Sequence, residues 1–121
     1  MRLVELALFS DDVPAMTKWW QVFLGVDPKV KAPGIAIFDR GSYEVLIHER
    51  YEPGPEDLPC EDHVAFAVTD LEGAFDRLVD QGLTPEAAPR TYEWGRSAYL
   101  RDPDGRLIEL QLAPPTPDAT L

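Results

Sequence analysis

His63-Val-Ala-Phe-Ala-Val68, followed by Thr69-Asp-Leu-Glu72, is the stretch on which the fold turns. HVAFAV is a short strand-forming run, and TDLE puts helix-capping chemistry directly before an apolar periodicity. Leu71, Phe75, Leu78 and Val79 then recur at helical spacing as far as Gln81, and Gly82 stops the helix. The same order stands earlier in the chain. Arg2–Phe9 (RLVELALF) alternates, with Val4, Leu6 and Leu8 on one side and Glu5, Ala7 and Phe9 on the other. Asp12-Val13-Pro14 opens a helix over Val13–Leu24 that presents Met16, Trp20, Phe23 and Leu24 on one face and stops at Gly25. Three extended segments follow each helix: Pro28–Lys31, Gly34–Phe38 and Ser42–Glu49, then Thr84–Ala88, Ser97–Arg101 and Arg106–Leu112. Asp39-Arg40-Gly41 and Asp102-Pro103-Asp104-Gly105 supply the tight turns.

The repeat can be measured. Asp12 and Asp70 are 58 residues apart, as are Glu5 and His63, while Gly41 and Gly105 are separated by 64. The second offset lays Val45 over Glu109. The chain therefore reads as α+β, one domain over 1–121 made of two βαβββ modules, 2–49 and 63–112. The Pro- and acid-rich segment 50–62 (RYEPGPEDLPCED) is a linker with solvated charges, and the tail 114–121 is expected to be disordered.

Composition narrows the function. The 121 residues, 45% hydrophobic and 10% aromatic, suffice for one ordinary core. A net charge of −11 argues against nucleic acid and anionic membrane surfaces, which need clustered Lys and Arg. No apolar run approaches the ~20 residues of a bilayer span, and the N-terminus lacks a signal-peptide pattern. The single cysteine, Cys60, excludes an internal disulfide framework and a multi-thiolate metal site, and it has no activating neighbour in sequence. A soluble, cytoplasmic, acidic single domain is the expectation.

Three stretches together resemble the vicinal oxygen chelate superfamily, which includes glyoxalase I, fosfomycin- and bleomycin-resistance proteins, methylmalonyl-CoA epimerase and extradiol dioxygenases. They are Asp12 with Lys18-Trp-Trp-Gln-Val-Phe-Leu-Gly25, His63 through Asp70, and Arg101-Asp-Pro-Asp-Gly-Arg-Leu-Ile-Glu-Leu110. The resemblance spans Arg2 to about Leu112. It implies a curved, half-open mixed sheet around a cavity, helices outside, with divalent-metal ligands on the first and last strands of each module. Those places fall on Glu5, His63 and Glu109. The fourth falls on Val45, which cannot bind a metal, and three-ligand members of the family exist. Glu5 stands where the family usually has His or Gln.

The residues support this chemistry on their own terms. A charged Glu5 amid Val4, Leu6 and Leu8, and Glu109 between Ile108 and Leu110, are costly if buried and unpaired. With His63 they make an N/O/O set suited to Mn, Fe, Co, Ni or Zn with open positions for substrate. One of the two carboxylates, Glu5 or Glu109, would also serve in proton transfer. Alternatives stay open at this point: either glutamate could face solvent or pair with Arg96 or Arg101. His48, of opposite parity to Val45, could sit at a rim or be brought inward by a strand irregularity. Phe38, Val45, Ile47, Trp94 and Tyr99 are candidates for lining the pocket, whose shape the segments Ala32–Gly34 and Arg90–Gly95 would set.

Three functions are compatible with the resemblance, the third being a structural or regulatory module with no pocket chemistry. The first is a metal-dependent enzyme, a lyase, isomerase or dioxygenase, acting on an oxygen-bearing substrate. The second is a metal-free binder of cationic drugs, like bleomycin-resistance proteins, favoured by the net charge and by Val45. A homodimer is expected.

Overall fold

Asp12 starts a helix because its carboxylate can satisfy an N–H that has no carbonyl one turn back. In the computed structural model, which describes residues 1–55 and 57–114, that carboxylate accepts from Ala15 N at 3.1 Å. The helix α1 runs Val13–Leu24 with Pro14 in its first turn, and Gly25 ends it at φ 72°, a left-handed conformation that glycine adopts without steric cost. Around it lie β1 (Arg2–Ser10), β2 (Val30–Ala32), β3 (Ile35–Asp39) and β4 (Glu44–Glu49). The second half repeats the order with β5 (His63–Val68), α2 (Leu71–Asp80), β6 (Thr84–Tyr92), β7 (Gly95–Arg101) and β8 (Leu107–Leu112). The hydrogen-bonded order is β2-β3-β4-β1-β5-β8-β7-β6, an open eight-stranded sheet. It is mixed: β1 and β4 are parallel, whereas β3–β4 and β7–β8 are antiparallel. The class is α+β, as expected.

The chain forms two compact units, Leu3–Ala65 and Met1–Arg2 with the residues from Phe66 on. In the first unit, Val13, Ala36, Phe38, Val45 and Ile47 are the buried centre, with Leu8, Met16, Trp20 and Leu24 packed against them. Trp20 is core, as the spacing predicts. Phe23 is not: it is 66% exposed and stacks on Trp19 at 5.0 Å, forming an outer apolar ridge with Val22. Residue 23 follows core residue 20 by one short turn, so it rotates past the sheet while Leu24 takes the inner place.

In the second unit, Leu71, Ala74 and Phe75 of α2 pack on Val68, Ala98, Leu100 and Leu110, with Leu78 and Val79 alongside. Asp70 caps α2 by accepting from Gly73 N at 3.0 Å. Glu72 does not close a reciprocal box with Thr69. It pairs with Arg96 instead, whose guanidinium holds its carboxyl below the usual range. The Asp102–Gly105 turn is held by Asp102, which accepts from Arg106 N at 2.8 Å and Asp104 N at 3.0 Å. Strand β6 extends to Tyr92, so only Glu93 and Trp94 remain as the turn where a loop over Arg90–Gly95 was expected. Register shifts between Pro85 and Ala87 and between Ala87 and Arg90 hide this strand from a period-two reading.

Of the tail expected to be disordered, 114–121, all but Pro114 lies outside the described residues. Among the described residues, no helix is long and apolar enough to cross a membrane.

Candidate functional site

Strand parity decides which side chains are available for chemistry. Leu8 packs toward α1, so Glu5, Ala7 and Phe9 point to the opposite face of β1, as the alternation predicts. The parallel ladder pairs Glu5 with Glu44, Ala7 with Leu46 and Phe9 with His48. Glu44, Leu46 and His48 therefore share the face of Glu5.

This corrects three expected pocket residues. Phe38, Val45 and Ile47 are 0–1% exposed and lie in the core beneath α1, on the face away from Glu5. The 64-residue offset that laid Val45 over Glu109 slips by one parity, because the halves differ in length within their central strands. His48 needs no irregularity to join the face of Glu5, since the β1–β4 register is unbroken from Glu5 to Ser10. Its Nδ1 lies 2.7 Å from Glu49 O, and its ring meets Phe9 at 5.7 Å and Tyr51 at 6.1 Å. Glu44 is engaged by Lys29, whose pKa that carboxylate raises.

Two expected ligands belong to the first unit. Glu5 and His63 are half-buried, and ligand atoms of the two lie within 4.8 Å of each other. His63 Nδ1 stands 3.0 Å from Glu61 O. A carbonyl only accepts, so Nδ1 carries the proton and Nε2 is the nitrogen with a lone pair to offer, an orientation common among metal-binding histidines. Phe9 touches both imidazoles, with its ring 6.2 Å from that of His63.

Glu109 belongs to the second unit and is 2% exposed. Its neighbour Leu110 packs toward α2, so Glu109 faces the other way, beside Tyr99, its partner across β7–β8. Ser97 Oγ, itself buried, donates to Glu109 Oε2 at 2.8 Å. This serine was not singled out from sequence, although it shares the parity of Tyr99 and leads the same hairpin. Tyr99 is buried on the face of Glu109 and meets Tyr92 edge-on at 6.3 Å. Tyr92 stacks on the exposed Trp94 at 4.6 Å, 6° from parallel, and Arg90 lies 5.0 Å over its ring. Burial pushes the Tyr92 hydroxyl up; Arg90 opposes this and the nearby Glu109 charge adds to it. Arg96 is engaged by Glu72 and Thr91, and Arg101 by Glu86 and the Gly105 carbonyl.

The comparisons agree with this architecture. The profile of the Glyoxalase/Bleomycin resistance protein/Dioxygenase superfamily matches residues 2–110. Biphenyl-2,3-diol 1,2-dioxygenase 3 of Rhodococcus globerulus is 30% identical over 120 residues, a match that covers 92% of this chain and 63% of that enzyme. Among solved structures, methylmalonyl-CoA epimerase of Streptomyces coelicolor superposes with a TM-score of 0.69 at 16% identity, covering 95% of this chain and 99% of that one. The Mycobacterium tuberculosis epimerase gives 0.66 at 18%, covering 94% and 89%. These two likenesses are of fold. The duplicated βαβββ order accordingly has its explanation: the chain belongs to the Glyoxalase/Bleomycin resistance protein/Dioxygenase superfamily.

Proposed function

We propose that Glu5, His63 and Glu109 hold a divalent metal ion and that the chain is a metal-dependent enzyme of the glyoxalase and dioxygenase kind, acting on a small substrate that chelates through oxygen. Two observations, one in each unit, support the reading: ligand atoms of Glu5 and His63 lie within 4.8 Å of each other, and Glu109 is a buried carboxylate on the face of β8 away from α2. The donor chemistry fits. Two donors at ~2.1 Å from one ion stand ~3 Å apart when adjacent, which small side-chain rotations reach from the Glu5–His63 spacing. One nitrogen with two carboxylates suits Mn, Fe, Co, Ni or Zn. Such an ion supplies Lewis-acid polarisation of substrate oxygens.

The chain's own groups divide the remaining work. The Glu61 carbonyl sets the His63 tautomer, and Ser97 fixes one oxygen of the buried Glu109. Glu109 is thus a rigid ligand. Glu5, less buried than Glu109 and midway along β1, would be the carboxylate better placed to take a substrate proton. We extend the proposal to a single cytoplasmic domain that works as a homodimer, of lyase, isomerase or dioxygenase type.

Metal analysis of tag-free protein tests the reading. Stoichiometric metal in the wild type, lost in His63→Ala, is expected. Wild type that neither carries metal nor takes up Mn²⁺, Ni²⁺ or Zn²⁺ overturns it. Metal-free sequestration of a cationic aromatic ligand is the second reading, supported by the net charge of −11 and the exposed Trp94. It predicts ligand-induced thermal stabilisation that weakens with salt.

A further inference from the structure

We propose that the hydroxyl of Tyr92 is a pre-positioned hydrogen-bond donor to an uncharged oxygen acceptor on a small ligand bound at the Glu109 face of the second unit. Three contacts bear on this side chain. Trp94 stacks on its ring, Arg90 lies over the ring, and Tyr99 meets it edge-on. The hydroxyl itself is buried and has no hydrogen-bond partner among the described residues. A buried hydroxyl without an acceptor is costly, and a protein ordinarily relieves the cost by letting the ring swing toward water or a carbonyl. Here the stacked indole and the guanidinium hold the ring instead. The strand supports the same geometry: Tyr92 pairs with Gly95 across the two-residue turn, so the backbone under it is fixed.

The acceptor must be uncharged for an electrostatic reason. Tyr99, which meets the Tyr92 ring at 6.3 Å, pairs with Glu109 across β7–β8, so the Glu109 carboxylate lies close by and would repel an anion in the same space. Trp94 and Arg90 are then positioning residues, acting through Tyr92. The inference rests on the proposed reading for the ligand being the substrate of the Glu109 site, but the donor role does not require the ion.

Phenol and toluene, the same shape with and without the oxygen, are suitable probes of the protein as purified, followed by amide chemical shifts. Phenol is expected to bind wild type more tightly than toluene. Tyr92→Phe should weaken phenol binding roughly 2- to 12-fold, the value of one hydrogen bond, and leave toluene binding unchanged. Without ligand, Tyr92→Phe should melt at or above the wild-type temperature, because it removes an unsatisfied buried group. Trp94→Ala, which unclamps the ring, should weaken phenol binding by a smaller factor. Equal phenol affinity in wild type and Tyr92→Phe overturns the proposal, as does failure of phenol to bind wild type. So does a Tyr92→Phe variant that melts several degrees low, since the hydroxyl would then have a protein partner. Mn²⁺ titration of both proteins keeps the two readings apart. Failure of the metal proposal appears as no uptake by wild type; failure of this one appears with metal uptake intact in both.

Discussion

Ser97→Ala probes the candidate site at its most buried point. The substitution deletes one hydroxyl, and both partners are almost fully enclosed, at 1% and 2% exposure. The lost contact is the 2.8 Å hydrogen bond from Ser97 Oγ to Glu109 Oε2. A hydrogen bond to a charged group contributes about 1.5–3 kcal/mol, and water cannot replace it at this depth. With ~2.1 cal/mol/K of unfolding entropy per residue, a chain of this length loses about 4 °C of Tm per kcal/mol. The variant should therefore melt roughly 6–12 °C below wild type by calorimetry. In a Glu109→Gln background the same substitution should cost about half as much, because a neutral acceptor gains less from the hydroxyl. If the proposed ion binds, Ser97→Ala should also weaken metal uptake by about 10- to 100-fold, because the serine no longer helps to orient the carboxylate. A Tm within 1 °C of wild type, or equal costs in the two backgrounds, refutes the reasoning.

Other outcomes follow from the packing and the charges. Phe38→Ala should destabilise by about 3–5 kcal/mol in urea melts, since the ring is wholly enclosed beneath α1; under 1.5 kcal/mol would mean that the core there collapses around the gap. Asp12→Ala should cost about 0.5–2 kcal/mol by loss of the cap on α1, and Asp12→Asn should recover most of it. Glu72 has a lowered pKa through Arg96, so its contribution is present above its ordinary value of 4.5 and fades as pH falls through the lower folded value. Any stability gap between wild type and Glu72→Gln at pH 7 should accordingly close on acidification; a gap that widens would reverse the assigned sign.

The residues of the proposed site could be singled out without coordinates because they break local patterns. Glu5 interrupts an apolar strand, Glu109 does the same, and His63 stands 58 residues from Glu5 just as Asp70 stands 58 from Asp12. Capping acids, glycine stops and period-two alternation are local physics, readable over a few residues. Membership in the superfamily followed from the same motifs and was met by the match over residues 2–110.

What sequence could not decide were the matters that depend on register. Val45 was laid over Glu109 by counting from turns, but one residue of slippage in a strand moves every side chain to the other face, and the β1–β4 ladder turns Val45 into the helix-side core. Tyr92 looked like loop because irregular pairing along β6 erases the alternation. Ser97 is one unremarkable serine until the β7–β8 hairpin brings it against Glu109. Chain order alone thus determined the elements, their duplication and the identity of the chemically costly side chains. Only the folded sheet decided which neighbours those side chains keep, because that is set by pairing between strands distant in sequence rather than by any run of residues within one.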